Sequence, residues 1–149
     1  MSDDLSSMIS WAGALLHKFS PGQRRQLTRQ IAQTLRRSQA RRIAAQRAPD
    51  GTPYIPRKRA KRAKQGRIKR KKAAMFEKLR TAKHLKLVND EQQLAVGFFG
   101  RVGRIARVHQ DGLRDQVGRA TAQYAYPQRV LLGLTAEEHG LVREQVLRY

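Results

Sequence analysis

Residues 57–72 limit what this chain can fold into more than any other stretch. They read Arg-Lys-Arg-Ala-Lys-Arg-Ala-Lys-Gln-Gly-Arg-Ile-Lys-Arg-Lys-Lys and include no aspartate or glutamate. A charged side chain that leaves water without a partner costs far more free energy than its packing returns. This stretch therefore has to face water, a polyanion or an acidic protein surface, and the core must come from the residues on either side of it.

A turn-rich segment leads into the basic run. Residues 48–57 read Ala-Pro-Asp-Gly-Thr-Pro-Tyr-Ile-Pro-Arg. Proline removes a backbone donor and pushes the residue before it toward extended geometry, so these residues do not form a regular helix. The Pro49-Asp50-Gly51 turn is expected to end the helix before it. Together, residues 48–72 predict an extended basic arm.

Two helices are predicted before the arm. Ser20-Pro21, a capping serine followed by proline at the first helical position, separates them. The first helix has apolar side chains at three- and four-residue spacing: Leu5, Met8, Ile9, Ala12, Leu15, Leu16 and Phe19. Trp11 lies off this stripe, where a surface aromatic is favoured over a subunit contact. The second helix runs to about Gln46 and is expected to bury Leu27, Ile31, Leu35 and Ile43.

After the arm, the pattern predicts a mixture of short helices and strands. Residues 73–81 resemble a short helix that buries Met75, Phe76 and Leu79. Residues 85–88 and 94–99 alternate with period two around Asn-Asp-Glu-Gln, which predicts a hairpin.

The remaining elements follow from local signals. Glycines at 100–103 are expected to break the strand, and residues 104–110 to form a short helix that ends at Asp111-Gly112. A third strand is predicted within residues 121–126. Thr135 and Glu138 have capping-box spacing and are expected to begin a C-terminal helix that buries Leu141, Val142 and Val146.

The predicted fold class is α+β. A small antiparallel sheet, consisting of the hairpin and one further strand, packs against the N- and C-terminal helices, and the basic arm extends from them. At 149 residues the chain is expected to form one domain. That domain divides into a helical part (1–47), the arm (48–72) and an α+β part (73–149).

Charge and composition narrow the functional classes. The chain carries 32 lysines and arginines against 11 acidic residues, a net charge of +21, which predicts attraction to polyanions. It contains no cysteine, so disulfides, thiolate catalysis and cysteine-bound zinc are excluded. No apolar run approaches the roughly 20 residues of a membrane span, and no membrane partner is expected. The start, Met-Ser-Asp-Asp, is acidic where a secretory signal would be basic, so a cytoplasmic protein is expected.

The histidines and glycines do not match a catalytic pattern. None of His17, His84, His109 and His139 has a second ligand at helical metal spacing. His109 lies close to Asp111, but a structural role is strongly favoured over acid–base chemistry. The glycines at 97–103 lack the ending of a phosphate-binding loop. We therefore expect no enzyme activity, no cofactor and no metal.

The basic arm has several interpretations on charge alone. It is suited to nucleic-acid phosphates, to a localisation-like signal, or to acidic protein surfaces in an assembly. The plainest alternative is a solvated loop that orders only with a partner. The sequence contains no helix-turn-helix, zinc-finger or RNA-reading aromatic motif, but charge alone slightly favours non-specific nucleic-acid binding.

Four segments, in order, resemble one protein family. They are residues 41–54 with their Ala-Pro-Asp-Gly-Thr-Pro-Tyr turn, Met-Phe-Glu-Lys-Leu at 75–79, Val-His-Gln-Asp-Gly-Leu at 108–113, and Tyr-Pro-Gln-Arg-Val-Leu-Leu-Gly-Leu-Thr at 126–135. Together they are similar to the tail completion proteins of the virion morphogenesis family of contractile-tailed, P2-like phages. The resemblance spans nearly the whole chain and is weakest before residue 20 and between 114 and 123.

The resemblance implies a structural virion protein rather than an enzyme. Such a protein finishes the tail at its head-proximal end, in the virion, after assembly in the host cytoplasm. The implied form is a homo-oligomeric ring, most simply a hexamer, built from heterologous interfaces. Its implied partners are tail tube and sheath proteins and head–tail connector or neck proteins, with DNA passing through the ring. The alternative is a non-specific nucleic-acid-binding protein without a virion role.

Within this interpretation, residues 41–80 would contact a neighbouring subunit, the tube or the sheath. These forty residues hold sixteen lysines and arginines, which the eleven acids of the chain cannot neutralise. The predicted partner-contact residues are Arg41, Arg42, Pro49, Asp50, Gly51, Tyr54, Arg57, Lys58, Arg59, Lys61, Arg62, Arg67, Lys69, Arg70, His109 and Arg129.

Overall fold

The computed structural model of the chain describes residues 2–57, 74–89, 93–116 and 121–149. Most of the predicted basic arm, residues 58–72, lies outside these ranges. The elements within them are α1 (Ser2–Leu16), α2 (Pro21–Ala44), β1 (Leu85–Asn89), β2 (Leu94–Phe98), α3 (Gly100–Asp111), β3 (Arg114–Gln116), β4 (Gln123–Ala125) and α4 (Ala136–Arg148).

The α+β class is confirmed, and so are the signals that begin α2 and α4. The Ser20 N–H donates to Gln23 Oε1 at 2.9 Å, and the Gln23 N–H donates to Ser20 Oγ at 3.3 Å. The same reciprocal arrangement joins Thr135 and Glu138 at the start of α4. Each capping box satisfies donors that the first helical turn would otherwise leave unpaired.

The strands form two small sheets rather than one. β1 pairs with β2 as the predicted hairpin, whereas β3 pairs with β4 in a separate antiparallel pair in which Arg114 lies opposite Ala125. The pattern of apolar residues could not have revealed β3, because its sequence, Arg-Asp-Gln, is entirely polar. The predicted third strand therefore exists as β4, but its partner is β3 and not the hairpin.

The predicted short helix at residues 73–81 is wrong for the residues described. Residues 74–81 form turns, and Phe76 has a φ of 66°. A right-handed helix cannot continue through a residue in the left-handed region. α3, in contrast, is longer than predicted, because it begins at Gly100 directly after β2. Gly103 permits this close start, since a Cβ there would lie 2.8 Å from the Phe98 carbonyl oxygen.

The described residues pack as two compact units. The first comprises residues Met1–Arg36, Leu87–Val96 and Leu134–Tyr149. Its core consists of Leu27, Ile31 and Leu35 from α2 with Val142 and Val146 from α4, and it is lined by Trp11, Leu15, Phe19, Leu94, Val96 and Leu134. Trp11 is therefore partly buried against its own subunit, with the Arg143 guanidinium 5.4 Å from its ring.

The second unit comprises residues Arg37–Lys86 and Gly97–Gly133. Its core is formed by Ile43, Ala48, Tyr54, Ala106 and Leu131, with Met75, Phe76, Phe98, Val130 and Leu132 packed around them. This core joins residues from three of the four segments that carried the family resemblance, 41–54, 75–79 and 126–135. The expectation of one domain over residues 1–149 stays a prediction.

Candidate functional site

The Pro49-Asp50-Gly51 turn is a closed, hydrogen-bonded loop in the second unit. The Asp50 carboxylate accepts from the Thr52 N–H at 2.9 Å and from the Thr52 hydroxyl at 2.6 Å. The Gly51 N–H donates to the Ala48 carbonyl, and Gly51 adopts a φ of 87°, which favours glycine. The hydrogen bonds from Thr52 lower the pKa of Asp50 below its usual value. The turn therefore has one defined shape and keeps its carboxylate ionised.

Residues 130–133 lie against this turn. The Arg42 guanidinium, near the end of α2, donates to the carbonyls of Leu131 at 3.0 Å and Gly133 at 3.3 Å. The Tyr54 hydroxyl donates to the Val130 carbonyl at 3.1 Å. A Cβ on Gly133 would lie 2.8 Å from Pro49 Cγ, so only glycine permits this approach. Two segments about 80 residues apart in sequence are thereby joined.

The side chain of Gln110, in α3, provides hydrogen bonds that a strand would otherwise supply. Its carbonyl oxygen accepts from the N–H groups of Leu131 at 2.7 Å and Leu132 at 2.9 Å, and its amide donates to the Leu132 carbonyl at 2.9 Å. Residues 130–134 are apolar, and they form neither strand nor helix. Because buried backbone groups need partners, Gln110 is what allows this irregular run to be buried.

Arg129 fixes the direction in which the chain leaves the turn. Its side chain is 5% exposed and donates to the carbonyls of Ile55 at 2.8 Å and Pro56 at 3.3 Å. A third N–H lies 3.2 Å from His109 Nδ1, which must accept, because a guanidinium has no acceptor. Burial, and then the charges of Arg129 and Arg57, lower the pKa of His109.

Gln46 holds the backbone of Met75, close to the start of the described range 74–89. Its side-chain oxygen accepts from the Met75 N–H at 2.8 Å, and its side-chain amide donates to the carbonyls of Met75 and Ile43, both at 2.8 Å. Arg57 and Ala74 are the two ends of the described chain on either side of residues 58–73. Each is next to a residue held by these hydrogen bonds, Pro56 before Arg57 and Met75 after Ala74.

A groove opens at these two ends. Arg57 and Ala74 both line it, and its volume is about 650 Å³. We call it the aromatic groove; its larger apolar lining residues are Met75, Phe76, Leu79, Ile105, Tyr124 and Tyr126. His109 lies in its wall, with its ring centroid 4.9 Å from that of Phe76 and 5.0 Å from that of Tyr126.

Comparison with known proteins identifies the family of this chain. Residues 3–149 match the phage virion morphogenesis family. The chain belongs to that family. It is also 42% identical over 137 residues to tail completion protein S of Escherichia phage P2, an alignment that covers 91% of this chain and 89% of the relative. No solved structure matches it. The family resemblance inferred from the four segments is thus confirmed.

In this family member, the predicted contact residues fall into three groups. Arg42, Tyr54, His109 and Arg129 hold the second unit together through the bonds given above. The second group comprises Pro49, Asp50 and Gly51, which form the turn, and Arg41 and Arg57, which are exposed. The third group lies outside the described residues: Lys58, Arg59, Lys61, Arg62, Arg67, Lys69 and Arg70. A partner contact for any of these residues stays a prediction.

Sequence reasoning did not single out Gln46, Gln110 or Gly133. All three lie within the segments that carried the family resemblance, which was the only available signal. Their roles depend on partners 21 to 91 positions away, so no local pattern indicates them. Among the described residues, no group of three or more His, Asp or Glu side chains converges as a metal site. No helix in the same ranges is both long and apolar enough to cross a membrane.

Proposed function

We propose that this chain is a structural protein of the virion that completes a phage tail. The observation that carries the proposal is its 42% identity, over nearly its full length, to a protein named for tail completion. The bonded second unit supports a structural role, because its polar side chains are occupied in holding backbone in place. The chain would act as a part of the particle and not as an enzyme.

The proposal extends to the position and form of the protein. The chain would act at the head-proximal end of the tail as a terminator or neck ring, capping the tube and permitting head–tail joining. The ring would be a hexamer of this chain built from heterologous interfaces, assembled in the host cytoplasm and retained in the virion. Its partners would be tube, sheath and head–tail connector proteins, with DNA passing through the ring.

The basic arm would act outside its own subunit. The turn at 49–51 and the hydrogen bonds from Arg129 to the carbonyls of Ile55 and Pro56 hold in place the backbone that leads to Arg57. Sixteen lysines and arginines in residues 41–80 exceed what the chain can neutralise internally. We infer that the arm docks on an acidic face of a neighbour, the tube or the sheath, where complementary charge guides register and encounter rate.

Gene replacement in the phage or prophage that encodes the chain tests the function. Deleting the gene should leave heads and tails unjoined under the electron microscope and reduce infectious titre by orders of magnitude, and supplying the chain in trans should restore both. Unaltered tails and titre after deletion would refute the proposal. Native mass spectrometry tests the form separately, since a closed ring of six copies is expected.

The net charge of +21 favours one competing function, non-specific nucleic-acid binding. The salt dependence of DNA binding, together with the oligomeric state, distinguishes this function from tail completion. A chain that remains a monomer and binds duplex DNA, with affinity falling steeply as salt rises, would support the competitor. A ring whose assembly into tails does not depend on DNA would support tail completion.

A further inference from the structure

The aromatic groove of the second unit has the composition of a protein-docking site. Ile105, one of its apolar residues, is 49% exposed, although a large aliphatic side chain is normally more stable when buried. Met75, Leu79 and Tyr124 surround the same opening. An apolar side chain entering this groove would lose contact with water, which favours binding.

The charges around the groove are predominantly positive. Arg57, Lys78 and Arg129 line it, and Glu77, the one acid among the described lining residues, pairs with Arg80 at 2.9 Å. The Arg129 guanidinium is occupied by Ile55, Pro56 and His109, so it contributes its charge, while Arg57 and Lys78 are exposed. Such a lining attracts carboxylates and repels cations.

We propose that the aromatic groove binds an acidic segment of another tail protein, with one apolar side chain of that segment inserted among Ile105, Leu79 and Tyr124. This proposal rests on the proposed function in tail completion, and it adds the chemistry of one partner segment.

The geometry disfavours a nucleobase as the occupant. The rings in the wall meet edge to face: the angle between planes is 74° for His109 and Tyr126 and 88° for Tyr124 and Tyr126. Successive bases stack on ring faces, and this arrangement does not offer parallel faces. The aliphatic side chains of Leu79 and Ile105 likewise match an aliphatic or aromatic side chain better than the polar edges of a base.

Charge also disfavours occupants from this chain. Residues 58–73 contain no acid, so they would bring cations to a cationic groove. A second copy has a net charge of +21, so it would approach against long-range repulsion and could enter this groove only through a locally acidic segment. An acidic segment of a different protein avoids both penalties.

Two labelled peptides test the proposal on the full chain. One is a twelve-residue peptide of aspartate and glutamate with phenylalanine at its centre; the other has serine there and is otherwise identical. Fluorescence anisotropy should give an affinity about tenfold higher for the phenylalanine peptide. Equal affinities would mean that charge alone drives binding, and would overturn the proposal.

Variants locate the effect. Ile105→Ser should reduce the preference for phenylalanine to less than about threefold, while Ile9→Ser, the same change at a 61% exposed position of the first unit, should leave it intact. Lys78→Gln should weaken both peptides by about the same factor, and Lys18→Gln, exposed and in the first unit, should have less effect. An unchanged preference in Ile105→Ser would overturn the groove as the site.

Two further outcomes would assign the groove to another occupant. If twelve-residue oligothymidylate binds and Ile105→Ser weakens it, the groove is a nucleic-acid site. If the chain self-associates in sedimentation and Ile105→Ser dissociates it, the groove holds a second copy. Gene replacement remains independent of these assays: restored tails with equal peptide affinities would refute only the groove, and peptide selectivity with normal tails after gene deletion would refute only the tail function.

Discussion

At the scale of single residues, glutamine side chains supply hydrogen bonds to backbone groups that a neighbouring β-strand would otherwise supply. Gln46 and Gln110 each make three hydrogen bonds, all but one of the six to backbone that belongs neither to a helix nor to a strand. A glutamine side chain carries an acceptor and two donors, so it can pair with the N–H and C=O groups of backbone that has no strand partner. This permits an irregular core, and it makes the unit sensitive to substitution at two positions.

Replacing Gln110 by leucine should destabilise the protein by about 2–4 kcal/mol, because the N–H groups of Leu131 and Leu132 would be buried without partners. Urea unfolding followed by circular dichroism measures the change. Gln128→Leu is the matched control, since Gln128 is exposed and its side chain donates one bond, to the Gln110 carbonyl. Similar losses for the two variants would contradict the role given to Gln110.

His109 makes the stability of the second unit depend on pH. Its pKa is lowered in the folded protein, by burial first and by Arg129 second. The folded state therefore binds fewer protons than the unfolded state, and the contribution is fully present above the ordinary histidine pKa of about 6.5. It is lost as pH falls through the lower, folded value.

We expect the unfolding free energy of the parent to fall relative to that of His109→Gln as pH decreases from 7 to 5. Urea titrations at several pH values measure this difference, and NMR titration of the imidazole gives the folded pKa directly. The expectation fails if the two proteins lose stability in parallel, or if the imidazole of His109 titrates above 6.5.

At the scale of elements, the sequence correctly predicted those features that depend on residues close together in the chain. The start of α2 was predicted from Ser20-Pro21 and that of α4 from the spacing of Thr135 and Glu138, and both are confirmed. Residues 74–81 were predicted to be helical from their apolar spacing, and this failed because distant contacts determine their shape. Phe76 packs edge to face on Tyr54 and His109, and this packing accompanies its left-handed backbone.

The junction between the turn and residues 130–133 likewise could not be predicted, because it depends on the space beside one glycine. Gly133→Ala should destabilise the protein by about 1–3 kcal/mol, since the new Cβ would lie 2.8 Å from Pro49 Cγ and the φ of 154° is strained for alanine. Gly140→Ala, within α4 and with open space around its Cα, should instead stabilise by about 0.5–1 kcal/mol. Thermal unfolding measures both, and effects of the same sign would contradict this account.

At the scale of the whole molecule, the residues that form the cores differ in charge from the residues that we expect to contact partners. The two cores are formed from apolar side chains of residues 11–54, 75–76 and 94–146. The basic run contains no acid, so its charge adds to self-repulsion in the isolated subunit. The arm is therefore expected to be retained for its partners and not for stability.

Replacing the ten lysines and arginines of residues 58–72 with glutamine separates these roles. The unfolding free energy at low salt should stay equal or rise, because repulsion falls, whereas infectious tails should be lost in the gene-replacement assay. A scrambled arm of the same composition is the control: if it restores tails, the arm acts by charge density, and if it does not, the order of its residues sets the register. Normal tails from the glutamine variant would show that the charges of the arm are not needed for assembly. A large loss of stability would show that these charges stabilise the folded subunit.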